Sequence, residues 1–298
     1  MVVVGSSKSI LHFLGKELIG IKTKELPAYN VNYSGSSLVL SVLKKVPSLL
    51  RVIKEECKII ESLQAEENFD LVISDNRYGL YLDRKPSYII CHQLNFKLGP
   101  LSQLVSKIHN RFLKKFTGVL IPDNIVGIQS LAGDLSKNNY QLSVEYIGPL
   151  SRLKKNETRI EFKLAILLSG PEPKFSQFAK AIKEAISELD KSEVIVVSPK
   201  ELIEFQNCGI KVYVNPDAEL LSKLLSSSEY VLGRSGYSSL MDFHAINKSN
   251  LVLIPTEGQP EQEYLANYWH EKFNAIVIPE RLLDMENLNQ ALNKKGSH

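Results

Sequence analysis

The sequence predicts an α/β fold with two domains, each built on a parallel sheet that helices cover. Short apolar runs rich in β-branched residues alternate with segments of helical periodicity along the 298 residues. Most of these runs are continuously apolar, which is typical of strands covered on both faces. Repeated strand–helix units of this kind form parallel sheets with right-handed crossovers.

Strands are predicted where such a run is bounded by polar or turn-forming residues. In the first half of the chain they are Val2–Gly5, Ile21–Leu26, Asp70–Asp75, Ser87–His92, Gly118–Asp123 and Val144–Ile147. In the second half they are Lys163–Ser169, Glu193–Ser198, Lys211–Asn215, Tyr230–Gly233, Asn250–Pro255 and Ala275–Pro279.

Helices are predicted between these strands from apolar spacings of three and four residues. They are Ser7–Leu18, Ser102–Phe116, Phe175–Leu189, Ala218–Ser227 and Glu261–Phe273, and one more begins near Tyr237. The stretch Leu38–Glu67 is also helical in pattern. We expect Pro47 to split or kink it, because proline removes a backbone donor and clashes with the preceding turn.

The predicted domain boundary lies at a Gly-Pro pair. Residues 148–149 are followed by a polar, charged stretch, and a new strand begins near Lys163. Glycine and proline followed by charged residues are typical of linkers. We therefore predict an N-terminal domain over residues 1–148 and a C-terminal domain over residues 149–298, with a cleft between them.

The composition is that of a folded protein without a membrane span. Hydrophobic residues make up 44% and charged residues 23% of the chain, which does not favour disorder. No apolar run approaches the roughly 18–20 residues of a transmembrane helix, and no signal peptide is visible. The three cysteines, Cys57, Cys91 and Cys208, form no metal or disulfide pattern, which favours the cytoplasm.

The formal net charge of +3 conceals a difference between the two halves of the chain. Residues 1–150 carry a balance of +5 and the remainder a balance of −2. The basic residues of the first half cluster at Lys44, Lys45, Arg51, Lys54 and Lys58, and at Lys107, Arg111, Lys114 and Lys115. We favour solvated helix faces over a site for an anionic surface or acceptor. Aromatic residues do not alternate with these charges, so nucleic acid is not an expected partner.

Two polar loops in the second half each follow a strand and open a helix. The first is Arg234–Ser239, between the strand that ends at Gly233 and the helix that begins near Tyr237. Free amides of a first helical turn and serine hydroxyls can hold a phosphate, and Gly236 lets the backbone approach closely. A plain N-cap turn explains this loop equally well. Asp242 lies on the same helix, where a carboxylate can accept hydrogen bonds from both hydroxyls of a ribose.

The second loop precedes the helix Glu261–Phe273. Several of its polar side chains can bond to hydroxyl groups, as sugar recognition requires. A helix macrodipole favours acidic residues in the first turn, so Glu263 has a structural explanation, whereas Glu257 and Gln259 precede the helix. Both loops lie at carboxyl ends of strands, where open α/β sheets bind nucleotides. Together they predict a site for a nucleotide or a sugar diphosphate.

Polar residues also follow other strands. Ser169 and Gly170 follow the first strand of the second domain, and we interpret them as cleft wall because nearby prolines leave few free amides. The predicted acceptor side of the first domain contains Asp75, Asn76, Arg77, His92, Gln93 and Asn95. His92 is either an acid or base or a buried structural histidine. No Ser-His-Asp order, metal cluster or phosphate-binding P-loop is recognisable.

These residues resemble the donor motif of the GT-B glycosyltransferases, and most closely that of the MurG-like kind with a family 28 C-terminal domain. The sequence Arg234-Ser235-Gly236 matches the family's Arg-Ser-Gly, and Asp242 stands where an acidic residue holds the ribose. Gln262 takes the place of the first glutamine of a Gln-Gln pair, and Glu263 departs from the second, which helps to read the sugar. The segment that begins at His92 is similar to a His-Glu-Gln-Asn segment of the acceptor side.

The resemblance implies two Rossmann-like domains and transfer of a sugar, of the hexosyltransferase type, from a UDP-sugar to a hydroxyl acceptor that is lipid-linked or belongs to a cell-envelope glycan. No metal or other cofactor is expected, and the protein would be cytoplasmic or peripheral to the inner face of the membrane. The implied donor-binding residues are Arg234, Ser235, Gly236, Tyr237, Ser238, Asp242, Glu257, Gly258, Gln259, Gln262 and Glu263.

The start of the chain departs from the family pattern. The family opens with a strand, a glycine-rich loop that contains a histidine, and a helix. Here Val2–Gly5 resembles the family's second strand, so we expect the first βα unit, of about 25–30 residues, to be absent. The chain would then be incomplete for catalysis, with His92 or Asp75 as the remaining candidate base. An open sheet edge would invite self-association.

Two other functions fit the same pattern. One is a non-catalytic nucleotide-sugar-binding protein or partner subunit, which the missing loop suggests. The other is a UDP-sugar 2-epimerase, which has the same fold but needs acidic and histidine residues at the cleft. Turnover of a UDP-sugar with an acceptor separates the transferase from both.

Overall fold

The computed structural model describes residues 2–13, 19–29, 38–125 and 128–293. The chain forms two compact units. The first contains Met1–Leu94, Gln103–Pro122 and Asn138–Tyr146, and the second contains Asn95–Ser102, Asp123–Lys137 and Ile147–His298. The chain therefore passes from one unit to the other more than once. The predicted domain limits at residues 148 and 149 stay a prediction.

Within its described residues, the first part of the chain contributes six parallel strands and three helices. The strands are β1 (Val3–Ser6), β2 (Lys22–Glu25), β3 (Val72–Asp75), β4 (Ser87–Ile90), β5 (Gly118–Ile121) and β6 (Val144–Tyr146). The helices are α1 (Lys8–Phe13), α2 (Leu38–Glu67) and α3 (Ser102–Leu113). Strand β1 pairs with β2, and β3 to β6 form a separate sheet in chain order. No strand pairing among the described residues joins the two sheets.

Apolar side chains on β4, β5, α3 and the segment after β4 form the core of the first unit. Ile89, Leu94 and Ile121 are fully buried there. A buried carboxylate on α2 fixes the loop after β3: Glu56 accepts hydrogen bonds from Arg77 Nε at 2.6 Å and from the Gly79 amide at 3.0 Å. Gly79 must be glycine, because an added Cβ would lie 2.3 Å from the Ile53 carbonyl oxygen.

The second unit contains the larger sheet. Its strands are β7 (Phe162–Leu167), β8 (Val194–Ser198), β9 (Lys211–Val214), β10 (Ser228–Gly233), β11 (Leu251–Leu253) and β12 (Ile276–Val277). Its helices are α4 (Lys174–Ala185), α5 (Ile203–Gln206), α6 (Ala218–Ser226), α7 (Tyr237–Ala245), α8 (Pro260–Phe273) and α9 (Met285–Asn293). Short 3-10 turns lie at Gly99–Leu101, Gly133–Ser136, Lys191–Glu193 and Glu280–Leu282.

The strand order of this sheet is the one found in Rossmann nucleotide-binding domains. The six parallel strands lie in the order β9-β8-β7-β10-β11-β12. Strands β8 and β9 are therefore added on one side of β7, and β10, β11 and β12 are added on its other side. The strand order thus reverses between β7 and β10. In open α/β sheets the crevice at such a reversal, beyond the carboxyl ends of the strands, is where ligands bind.

Both faces of this sheet are buried, which explains the continuously apolar strands. Successive side chains of a strand point to opposite faces. Leu164 and Ile166 belong to the core that α4 and α9 cover, whereas Ala165 belongs to the core that α6, α7 and α8 cover. Burial of a large aliphatic side chain contributes about 1.5–3 kcal/mol, so the two cores hold the central strands of the sheet in position.

The structure confirms the predicted α/β fold: each of the twelve predicted strands overlaps a strand, and all the pairings are parallel. We expected Pro47 to split or kink the helix, and the split is wrong, because α2 runs through that residue as one helix of 30 residues. Part of the predicted helix Ser7–Leu18 lies outside the described residues. Two helices, α5 and α9, were not predicted, although Leu288, Ala291 and Leu292 have helical spacing and are buried.

Pro47 is exposed in the interior of α2, where its ring prevents one backbone hydrogen bond. We expect Pro47→Ala to raise the free energy of unfolding by about 1–3 kcal/mol, because alanine restores the amide and has the best helix propensity. Thermal and urea unfolding measure this change. Lys54→Ala, at an exposed position of the same helix, is the control and changes stability little. A decrease for Pro47→Ala would show that the proline is accommodated without cost.

Candidate functional site

The loop between β10 and α7 lies beside the strand-order reversal. It starts after Gly233, where an added Cβ would lie 3.3 Å from the Phe243 ring and 3.5 Å from the Leu167 carbonyl oxygen of β7. Gly236 occupies the N-cap position of α7 in an extended conformation, and no side chain caps the helix. Tyr237 is buried and Ser238 is exposed. The backbone amides of this first turn lie at the positive end of the helix dipole, which suits an anion.

The two predicted loops are hydrogen-bonded to each other. Ser235 is fully buried, and its Oγ donates to the backbone carbonyl of Gln262 in α8 at 2.8 Å. A Cβ added to Gly236 would lie 4.0 Å from Gln262 Nε2. The sequence predicted that these loops act together, and this contact places the starts of α7 and α8 side by side.

The loop between β11 and α8 is organised by the side chains that were expected to bind a sugar. Gln262 Oε1 accepts from the Thr256 amide at 3.0 Å, and Gln262 Nε2 donates to Gln259 Oε1 at 2.7 Å. Glu263 Oε1 accepts from the Gly258 amide at 3.0 Å. Gly258 has a φ of 77°, a left-handed conformation that favours glycine. The departure at Glu263 therefore has a structural role in the loop, whether or not it also contacts a ligand.

Arg234 lies inside the protein. Only 3% of its surface is exposed, and its Nη2 donates a hydrogen bond to Glu280 Oε1 at 2.6 Å. Glu280 follows β12 and was not recognised as a site residue from the sequence.

Asp242 is held by a serine that the sequence did not single out. Ser151 Oγ donates to Asp242 Oδ1 at 2.6 Å, from the segment that enters the second unit after β6. Burial raises the pKa of Asp242 above its ordinary value, while the hydrogen bond from Ser151 and the charge of Arg152 act in the opposite direction. The carboxylate is partly exposed, so it remains accessible for a hydroxyl donor.

Ser169 and Gly170 follow β7, the strand beside β10. Ser169 is half-buried, and Gly170 is exposed with a φ of 113°, which only glycine adopts readily. The sharp turn at Gly170 thus belongs to the edge of the sheet where the strand order reverses. A cis peptide bond joins Glu172 to Pro173 just before α4.

The predicted acceptor-side residues after β3 have different surroundings. Asp75 and Asn76 are exposed, and the Asn76 amide donates to the Ile90 carbonyl oxygen of β4 at 3.1 Å. Arg77 is bound to Glu56 and to the Pro27 carbonyl oxygen. Its guanidinium therefore holds the loop after β3 in place. This role could not be predicted from the sequence, because Glu56 lies 21 residues away.

The predicted acceptor-side residues after β4 belong to two different units, because one segment of the first unit ends at Leu94 and a segment of the second unit begins at Asn95. His92 and Gln93 are half-buried in the first unit. Nearby, burial and the charge of His92 lower the pKa of His109 to about 4, so His109 is neutral at physiological pH. Asn95 belongs to the second unit, where Nδ2 donates to the carbonyl oxygens of Asp134 and Lys137, each at 2.8 Å.

Within the described ranges, no group of three or more His, Cys, Asp or Glu side chains is placed to hold a metal ion. None of the helices in that part of the chain is both long and apolar enough to cross a bilayer.

Solved structures of similar fold cover nearly the whole chain. MurG of Acinetobacter baumannii is 13% identical with a TM-score of 0.51, over 97% of this chain and 79% of its own. Arabidopsis thaliana UGT89C1, solved with UDP-L-rhamnose, is 11% identical with a TM-score of 0.61, over 100% and 83%. A protein described as a UDP-N-acetylglucosamine 2-epimerase from Listeria monocytogenes is 13% identical with a TM-score of 0.57, over 98% and 78%.

The fold is therefore GT-B, with two Rossmann-like domains, as the sequence predicted. The model of the Glycosyltransferase family 28 C-terminal domain matches residues 173–297, a range that contains both loops and helices α7 and α8. No curated protein matches the sequence. The resemblance to MurG-like glycosyltransferases is confirmed, by the family model over residues 173–297 and by the fold of the solved structures.

The raised pKa of Asp242 predicts a pH-dependent cost of keeping its carboxylate charged. For an acid whose pKa is higher in the folded state, stability falls as pH rises from the unfolded-state pKa through the folded-state pKa. We expect Asp242→Asn to raise the melting temperature at pH 7, and this gain to shrink as the pH falls toward the unfolded-state pKa. Differential scanning calorimetry across this range measures it. Asp217→Asn, at an exposed helix cap, is the control without a comparable pH-dependent gain. A gain independent of pH would exclude Asp242 ionisation as its cause.

Proposed function

We propose that the protein transfers a sugar from a UDP-sugar to a hydroxyl acceptor. The observation that carries the proposal is the pairing of two helix starts, α7 and α8, beside the strand-order reversal and within the range that matches the family 28 domain. The solved complex of UGT89C1 with UDP-L-rhamnose supports UDP as the nucleotide.

In this proposal the backbone at the start of α7, with the amides of Gly236 and Ser238, holds the diphosphate. The uncapped start of α7 supplies these donors together with its dipole. Asp242 accepts hydrogen bonds from the ribose through the carboxylate that Ser151 orients. Glu257, which is exposed in the second loop, contacts the transferred sugar.

The reaction forms a bond between the acceptor oxygen and the anomeric carbon of the sugar, and it breaks the bond from that carbon to the diphosphate. The departing diphosphate gains charge, which the helix-start amides stabilise. The proton of the acceptor hydroxyl passes to a base. Asp75 is the last residue of β3, and His92 follows the neighbouring strand β4; these two residues are the candidates for that base. No metal is needed for these steps.

The family match favours sugar transfer over the two other functions. The fold is shared with the epimerase-like protein of Listeria monocytogenes, so the fold alone does not separate transfer from epimerisation. The family 28 domain covers the residues that would hold the donor. Release of UDP that requires an added acceptor separates the transferase from an epimerase and from a binding protein.

We further propose that helix α3 contacts an anionic membrane surface, which would bring a cytoplasmic enzyme to a lipid-linked acceptor. Leu104 and Ile108 are 57% and 47% exposed, and Lys107 and Arg111 lie on the same helical face. The range 99–117 contains no acidic residue. Exposed apolar side chains flanked by basic ones suit the interface of an anionic bilayer.

We also propose that the protein self-associates through the first unit. Among the described residues β3 pairs with β4 alone, and Ile73 of β3 is 58% exposed. An apolar strand with a free edge is a template for pairing with another chain.

Asp242→Ala tests the donor site. We expect it to weaken UDP binding at least about tenfold, or about 1.4 kcal/mol, because a charged hydrogen-bond acceptor is lost. Isothermal titration calorimetry with UDP, and with thymidine diphosphate for comparison, gives the affinities. Asp284→Ala, at an exposed turn before α9, is the matched control. Equal UDP affinity of wild type and Asp242→Ala would remove Asp242 from the site.

Replacing Leu104 and Ile108 together by serine tests the membrane contact. We expect the double variant to bind vesicles of phosphatidylglycerol and phosphatidylcholine at least about fivefold more weakly than wild type, because apolar insertion is lost. Cosedimentation with vesicles measures binding. Ile203→Ser, at another exposed isoleucine, serves as the control. If the wild type binds phosphatidylcholine alone equally well, the basic residues do not contribute.

A further inference from the structure

Arg234 precedes the proposed diphosphate site, but its guanidinium group contacts other groups inside the protein. Nη2 donates to Glu280 Oε1 at 2.6 Å, and Nη1 donates to the Ile254 carbonyl oxygen at 3.2 Å. The guanidinium carbon lies 3.8 Å from the centre of the Phe178 ring in α4. These contacts occupy both terminal nitrogens and one face of the guanidinium.

Glu280 uses its second oxygen for the neighbouring loop. Its Oε2 accepts from the Glu257 amide at 3.0 Å. Burial alone would raise the pKa of Glu280, but hydrogen bonds from Arg234 and Glu257 and the charge of Lys174 outweigh it and hold the pKa below its usual value. Glu280 is therefore ionised at neutral pH, and it is paired on both oxygens.

We propose that Arg234 and Glu280 form a buried clamp that positions the second donor loop and that neither residue contacts the donor. This inference rests on the proposed function, because the loop matters as the place where Glu257 meets the sugar. In this clamp Arg234 binds Glu280, and Glu280 in turn accepts the hydrogen bond from the Glu257 amide and so holds the backbone of the second loop. Arg234 and Glu280 are thus positioning residues.

A contact of Arg234 with phosphate is the alternative that the motif suggests, and the geometry disfavours it. Arg234 is 3% exposed, and the side chain of Glu280 is 14% exposed. If Arg234 turned toward a ligand, the largely buried Glu280 carboxylate would lose its positively charged partner, which is strongly unfavourable. The diphosphate is accordingly bound by backbone amides and by the Ser238 hydroxyl, which lie two to four residues further on.

The clamp also explains why the second loop needs a support besides its own hydrogen bonds. Gln262 and Glu263 bond to the amides of Thr256 and Gly258, on either side of Glu257. The amide between them has Glu280 as its acceptor. Loss of that acceptor frees the central peptide of the loop while the flanking ones stay held.

The test uses a double variant that removes the clamp and keeps the volume, Arg234→Met/Glu280→Leu. Replacing both members of a buried ion pair by apolar residues is often neutral or stabilising, so this variant is expected to fold, whereas Glu280→Gln alone leaves a buried unpaired cation. Hydrogen exchange of the Glu257 amide and calorimetric titration with UDP and a UDP-sugar are the two measurements. Leu292→Ala, which removes buried side chain from α9, controls for a general loss of stability.

We expect the double variant to exchange the Glu257 amide at least about tenfold faster than wild type, with the flanking amides little changed. We expect a UDP-sugar to bind about tenfold more weakly, and UDP itself to bind nearly as in wild type, because the loop meets the sugar. Leu292→Ala should lower the melting temperature without this selective pattern. Wild-type exchange at Glu257, or a loss of affinity that is equal for UDP and the UDP-sugar, would overturn the clamp. If wild type fails to bind UDP, the proposed function falls, and the exchange measurement still decides the clamp.

Discussion

The reversal of strand order between β7 and β10 is the constraint on which the rest of the second unit depends. These two strands pair in parallel from Ser228 to Gly233, and their connections leave in opposite directions across the sheet. The loops that follow them are therefore not covered by a crossover helix. Because the sheet is buried on both faces, its strand ends are fixed by two packed cores. The same packing holds the loops of the candidate site in position.

Within that frame, polar side chains of the candidate site serve mostly to hold its loops. Ser235 joins the start of α7 to α8, while Gln262 and Glu263 each hold an amide of the second loop. What remains for a ligand is the uncapped start of α7, the carboxylate of Asp242 and the exposed side chain of Glu257. Preorganised amides of this kind need no rearrangement when charge develops on a departing group.

The sequence predicted the strands well because burial on two faces leaves a continuous apolar run that is visible without a partner. It predicted the two loops for the same reason, since each comes directly after such a run. It could not reveal the partners of the site residues. Ser151 lies 91 residues from Asp242, and Glu280 lies 46 residues from Arg234. Arg234 has the charge expected of a phosphate ligand, and only its distant partner indicates another role. At Pro47 the sequence did not decide between a split and a kink, and the split is excluded because α2 continues through this residue.

The central claim is that the helix starts at the strand-order reversal hold the diphosphate of a nucleotide sugar. Amide chemical shifts in a titration with UDP test it most directly, because each backbone donor reports for itself. We expect the largest changes at Gly236, Tyr237 and Ser238, with smaller ones at Asp242. Saturable changes confined to other parts of the chain, or no change at concentrations that saturate a typical donor site, would contradict the claim.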